Sequence, residues 1–246
     1  MVRFILNYIK LILEALGTKF LRILIRDNIN KNKYSFYITE NIYNPHITEK
    51  SFEASFAKAN SYTIISPYKF RTLFWAVQES PLGNIIDIGV LRGGSSIFLA
   101  SLMQGENKLF SVDNWLVNTT ANNYAHLINS NSHDLDSFKD AISRFKIEEK
   151  ISIRDESLNS FIERSKNILY GTVSIIHFDI YDDEVFSQNI EDMLGLLMHG
   201  GCLLIGGYGA LTLPKLTRAV NEFTNQSRSY TRFFEDKSGY GILLKI

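Results

Sequence analysis

Residues 84–102 read NIIDIGVLRGGSSIFLASL, one acidic residue and three glycines set between an apolar run and a segment of helical period. Residues 85–90 have the length and apolar density of a buried strand, and 94–103 predict a helix. In an open parallel sheet, ligands sit beyond the carboxyl ends of the strands, where the strand order reverses. The glycine turn falls at such an end. Asp87 lies near the end of the strand, Gly89 and the Gly93-Gly94 pair permit a tight turn, and Ser95 opens a helix whose free amides favour an anionic group.

Working outward, the same alternation recurs. Strands are predicted at 108–112, 151–154, 173–178 and 202–205, separated by helical patterns such as DSFKDAISRFK and FSQNIEDMLGLLMH. Upstream, Ser66-Pro67 starts an amphipathic helix ahead of the first strand. This order predicts an α/β fold, a doubly wound and mostly parallel sheet with helices on both faces. The end breaks the rhythm: SYTRFFED and GYGILLKI are joined by Lys237, Ser238 and Gly239, which predicts an antiparallel hairpin at one sheet edge.

The remainder is an appendage. Residues 1–26 form an amphipathic helical pattern whose charges interrupt the apolar run too often for a membrane span of roughly 20 residues. No small-residue cleavage site follows it. Docking on its own domain or on a second copy is the first reading. Peripheral contact with an anionic membrane through Arg3, Lys10, Lys19, Arg22 and Arg26 is the second. A polar, Asn-rich and aromatic stretch then reads as a loop-rich arm, which divides the chain into residues 1–61 and a domain of 62–246.

The 26 basic and 26 acidic side chains give a formal net charge of +0, which argues against a nucleic-acid partner and for a small-molecule ligand. A single cysteine, Cys202, excludes an intrachain disulfide framework and fits a cytoplasmic location.

Spacing narrows the ligand. A P-loop needs a lysine where Gly94 is followed by Ser95 and Ser96, and the dinucleotide fingerprint fails because Val90, Leu91 and Arg92 follow Gly89. Asp113 ends the next strand, placed to accept hydrogen bonds from both hydroxyls of a ribose. A nucleoside without a phosphate clamp remains, and S-adenosylmethionine (SAM) fits that description.

IDIGVLRGGSS (86–96), LFSVDNW (109–115), IIHFD (175–179) and GGCLLIGGYG (200–209) followed by RAVNEF (218–223) resemble successive motifs of the class I SAM-dependent methyltransferases. More narrowly, with ISPYKFRTLFWAV (65–77), they are similar to the macrocin O-methyltransferase family, whose members methylate sugar hydroxyls. The resemblance runs from about Tyr62 to the C-terminus and implies a Rossmann-like, seven-stranded sheet with its last strand antiparallel. It implies that Asp87, Gly89, Gly93, Gly94 and Ser95 surround the methionine part of the cofactor, and Asp113 the ribose. Asn114 and Trp115 would line the adenosine, and Glu156 and Ser157 would reach the adenine.

The family pairs an aspartate after the fourth strand with an Asp-Asp-Tyr-Gly after the fifth to bind a divalent cation. Here Asp179 keeps the first, but Gly206 and Gly207 stand at the second, so no tightly bound metal is expected. Asp182, Asp183 and Glu184 read as an acidic helix start. For removing the acceptor's proton the candidates are Asp179 and a histidine, His133 ahead of His126, since the family carries its proposed base in that segment. Trp115 and Tyr124 in the long loop 115–134, with the aromatic arm 34–62, would set acceptor specificity. The resemblance implies a glycan or glycosylated small-molecule acceptor. A phenolic acceptor, or a non-catalytic domain that retains the pocket, stay as alternatives.

Overall fold

A computed structural model describes residues 44, 46–63, 65–115, 134–227, 231–236 and 238–246. The N-terminal amphipathic segment, the arm up to residue 43, and Tyr124, His126 and His133 lie outside the described residues. Every described residue belongs to one compact unit within Ile38–Ile246.

Seven strands form one sheet: β1 (Asn84–Ile88), β2 (Leu109–Asp113), β3 (Ile151–Asp155), β4 (Val173–Phe178), β5 (Leu197–Gly206), β6 (Thr231–Asp236) and β7 (Tyr240–Lys245). Their order is β3-β2-β1-β4-β5-β7-β6. The first five in that order run parallel, and β7 is antiparallel to both its neighbours, so the predicted hairpin sits at the edge as expected. The order reverses between β1 and β4, which opens a crevice beside the glycine turn.

Helices α1 (Glu49–Ala59), α2 (Pro67–Glu79), α3 (Gly94–Leu102), α4 (Asp134–Phe145), α5 (Leu158–Leu169), α6 (Asp183–Leu196) and α7 (Pro214–Gln226) cover the sheet. Side chains alternate across each strand, so the sheet has two distinct faces. Ile86, Ile88, Ile176 and Phe178 pack with residues of α5, α6 and α7 in one buried cluster. The opposite face carries Asp87 and His177, paired in register, and receives α2 and α3.

Local chemistry explains these elements. Ser66 is extended and Pro67 supplies the first helical φ of α2, whose Phe70, Leu73, Phe74 and Val77 form a buried stripe at helical spacing. That stripe meets α1 and α3 in a chain of edge-on aromatic contacts, Phe52 to Phe74, Phe52 to Phe98, and Phe70 to Phe98 at 4.9 Å. Each such pair adds about 0.5–1.5 kcal/mol beyond its burial.

Two expectations are corrected. The arm is not loop throughout: α1 buries Phe52 and Ala59, and the boundary expected between residues 61 and 62 falls inside a short 3-10 turn, Asn60–Tyr62, that continues α1. Asparagines around it mask a real period, Phe52 and Phe56 one turn apart. The fifth strand also starts earlier than residue 202. Leu197 pairs with Val173 and Cys202 with Ile175, so β5 takes up extra residues in a bulge. A side chain at Gly201 would lie 2.9 Å from the Ser174 carbonyl oxygen, which is why a glycine in mid-strand does not mean a loop here.

Candidate active site

The glycine turn connects β1 to α3. Gly89 (φ 84°) and Gly93 (φ 88°) adopt the left-handed region. A Cβ at Gly89 would lie 2.9 Å from the Asp179 carbonyl oxygen, and one at Gly93 would strike the Phe138 ring at 2.0 Å. At Gly94 it would meet Thr63 at 2.5 Å. All three glycines are thus required by the protein's own packing, against the end of β4, α4 and the segment before α2.

Asp87 does not face the crevice. Its carboxylate is fully buried: Oδ1 lies 2.6 Å from His177 Nδ1, and Oδ2 accepts from Ser95 Oγ at 2.7 Å and Ser96 Oγ at 2.5 Å. The network continues from Ser96 to Ser111 Oγ at 2.8 Å, and from His177 Nε2 to Tyr240 Oη at 2.7 Å. Burial, with Asp179 and Asp87 adding to it, pushes the Tyr240 phenol well above its usual value. The phenol therefore keeps its proton, and when it donates to Nε2 the imidazole donates from Nδ1 to Asp87. Asp87 and the Ser95 hydroxyl are thus engaged within the protein, in the tie that fixes α3 and β4 around the turn. The first amides of α3, which no helix turn satisfies, remain available to a ligand.

Asp113 ends β2 across the crevice. Oδ2 accepts from Leu91 N–H at 2.9 Å and Oδ1 from Trp115 N–H at 3.0 Å, while Trp115 Nε1 donates to the Leu91 carbonyl at 2.7 Å. Trp115 also stacks on Phe138, and both Leu91 (φ 52°) and Trp115 (φ 38°) are held in the left-handed region. A non-glycine residue there is strained, and such strain gathers at functional sites. Each carboxylate oxygen of Asp113 retains acceptor capacity for a ligand hydroxyl. Burial raises the Asp113 carboxyl above 3.8, opposed by the Leu91, Trp115 and Val90 amides and reinforced by Asp87.

Asn114 is exposed beside it. Glu156 donates its N–H to the Asp113 carbonyl at 3.1 Å, pairs through Oε2 with Arg164, and leaves Oε1 buried without a hydrogen bond. That orphaned oxygen is a fitting acceptor for an adenine amino group. Ser157 is exposed, and its hydroxyl accepts from Ser160 N–H and caps α5. Asp182 likewise caps α6, accepting from the Glu184 and Val185 amides, as the acidic helix start predicts.

Asp179 follows β4, its N–H donating to the Ile88 carbonyl at 2.9 Å. Lys69 Nζ, from the first turn of α2, stands 3.6 Å from its Oδ1 and 5.0 Å from the centre of the Tyr240 ring. Reading the sequence passed over Lys69. The available signal was a basic residue in a helix's first turn, against the dipole, with no acidic residue beside it. A divalent cation does not fit this arrangement. One carboxylate faces an ammonium, and among the described residues no group of three or more His, Cys, Asp and Glu side chains gathers to hold a metal.

No protein-family model and no curated protein matches the chain by sequence. Solved structures match it by fold. An O-methyltransferase from Bacillus cereus in complex with S-adenosylhomocysteine (SAH) is 15% identical, with a TM-score of 0.52 over 80% of this chain and 90% of that one. TomG from Streptomyces achromogenes, an O-methyltransferase involved in tomaymycin synthesis and solved with SAM, is 12% identical, with 0.52 over 87% and 96%. An rRNA methylase from Streptococcus thermophilus is 15% identical, with 0.50 over 75% and 99%. At these identities the likeness is one of fold: the chain has the Rossmann-like, mostly parallel seven-stranded fold found in these methyltransferases.

Proposed function

We propose that this chain is a SAM-dependent O-methyltransferase, similar to the macrocin O-methyltransferase family, that methylates a hydroxyl of a sugar or glycosylated small molecule without a divalent cation. The observation that carries this reading is the placing of Asp113 and Asp179 at the ends of β2 and β4, on either side of the glycine turn. Although two fold neighbours are described as rRNA methylases, the net charge of +0 favours a small acceptor over RNA. Among the described residues no helix is long and apolar enough to cross a membrane.

Bound SAM would supply a methyl carbon on a sulfonium, open to in-line attack by the acceptor oxygen. The chain's own contribution is to hold and deprotonate. The α3 amides and Gly89 would take the amino-acid end, Asp113 the ribose, Trp115 and Asn114 the adenosine, and Glu156 Oε1 the adenine amino group. Asp179 would receive the hydroxyl proton. Positioning of this kind supplies much of the rate in a bimolecular transfer.

The direct test is calorimetric titration of SAH, once with EDTA and once with magnesium. Micromolar binding equal in both is expected. Binding only with magnesium would reinstate the metal, and no binding in either would point to a repurposed fold. Retained SAH binding with no transfer across a panel of methyl glycosides and catechols would favour a non-catalytic binding protein.

A pH dependence follows from Asp113. The ribose needs the carboxylate as acceptor, so SAH affinity is expected to fall on acidification with a midpoint above 3.8. The sign for folding is opposite: a carboxyl raised in the native state favours the protonated form there, so its protonation stabilises the fold. Affinity lost through this residue is therefore separable from acid unfolding by parallel circular dichroism. An affinity flat down to pH values below 3.8 would remove Asp113 from the site.

A further inference from the structure

A Cβ at Gly206 would lie 1.9 Å from Asp179 Oδ1 and 2.9 Å from its Cγ. The Asp179 carboxylate therefore occupies the space that a side chain at 206 would fill, and the glycine is what lets it lean there. Lys69 stands against the same oxygen. Its side chain and that of Asp179 are 14% and 11% exposed, and Nζ sits over the faces of Tyr240 at 5.0 Å and Tyr181 at 6.0 Å. Aromatic faces stabilise an ammonium, and here they offset the unfavourable helix dipole.

The separation of the pair is informative. At 3.6 Å the two atoms are an ion pair but not a hydrogen bond, and Oδ1 is out of contact with solvent and makes no hydrogen bond. A buried acceptor left that way is costly until a donor reaches it. A hydroxyl that entered between them would find an ammonium donor and a carboxylate acceptor side by side, each suited to a charge-assisted hydrogen bond.

We infer that Lys69 takes the place of the divalent cation: its ammonium and the Asp179 carboxylate together clamp the acceptor hydroxyl. This rests on the methyltransferase reading. The hydroxyl oxygen accepts from Nζ and its proton points at Oδ1. As the oxygen–carbon bond forms and the carbon–sulfur bond breaks, the sulfur keeps the electron pair and Asp179 takes the hydroxyl proton. Lys69 keeps its proton and stabilises the partial negative charge that loss of the hydroxyl proton to Asp179 leaves on the oxygen before the methyl carbon takes it up. The substrate class narrows accordingly. A metal draws on several oxygen ligands and favours paired hydroxyls, whereas an ammonium is a point charge that holds one. The acceptor needs a single well-placed hydroxyl, with no vicinal partner.

The test uses Mn2+ as probe, followed by electron paramagnetic resonance on the full chain. Wild type is expected to take up no stoichiometric Mn2+ at millimolar concentration. A Lys69→Met, Gly206→Asp double variant, which removes the ammonium and returns a carboxylate, should bind Mn2+ at least roughly tenfold more tightly, and adding Asp179→Asn should abolish the gain. Stoichiometric Mn2+ on the wild type that Asp179→Asn removes, or a double variant that binds no better than wild type, overturns the inference. Melting curves report whether the variants fold, and the turnover of Lys69→Met decides if the double variant does not. With any methyl glycoside that wild type methylates in EDTA, Lys69→Met should lose about 100-fold in kcat at unchanged SAH affinity, and full retention overturns the inference as well. Failure of wild type to bind SAH would instead sink the methyltransferase reading, with the Mn2+ result still deciding the role of Lys69.

Discussion

Asp87→Ala is expected to destabilise the folded chain by about 3–5 kcal/mol, the usual loss when one member of a buried charged or hydrogen-bonded pair is removed. The reason is the number of groups that depend on it. His177 Nδ1, Ser95 Oγ and Ser96 Oγ all lose their carboxylate partner at once, in a site without solvent. His177 then holds Tyr240 from one side only, and the aromatic face beneath Lys69 loses its anchor. In a chain of this size the melting temperature should drop by roughly 6–20 °C. Asp87→Asn, which keeps the shape and one acceptor, should cost clearly less. A denaturant midpoint for Asp87→Ala within error of wild type, at unchanged slope, would mean that the network is not what holds β1, α3 and β4 together.

The role of Asp87 also marks where reading the sequence stops. The motif around it identifies a strand, a glycine turn and a helix, because period and turn chemistry are local properties, and the fold has all three there. Whether its carboxylate points at a ligand or into the protein depends on His177, which comes 90 residues later, and through it on Tyr240, a further 63 residues on. No spacing rule joins those positions; only the register of β1 with β4 and the antiparallel return of β7 do. Gly206 is a similar case. In the sequence it is an absent aspartate, whereas in the fold its empty side is filled by Asp179. Lys69 belongs to a motif stretch yet carries no signal beyond its unfavourable place in the helix, since its partners lie in the loop after β4 and on β7. The glycines were legible as a turn, but the reason for each one, Phe138, Thr63 or the Asp179 backbone, was not.

Asp113→Ala is expected to weaken SAH binding by at least about 100-fold, because hydrogen bonds to a charged group contribute about 1.5–3 kcal/mol each and the ribose would lose both of its acceptors. Preorganisation adds to the loss. The same carboxylate accepts from the Leu91 and Trp115 amides, and so holds two non-glycine residues at positive φ and keeps Trp115 stacked on Phe138. Without it the turn can relax out of that strained shape, and the nucleoside wall it forms is no longer prebuilt. Because the strain is released as well as the bonds lost, folding stability should change less than in Asp87→Ala, so affinity and stability should separate between the two variants. Asp113→Asn retains one acceptor oxygen without a carboxyl to titrate, and should bind SAH with intermediate affinity that no longer falls on acidification. Wild-type affinity in Asp113→Ala would place the ribose elsewhere. A parallel collapse of stability would instead show that Asp113 serves the fold before it serves the ligand.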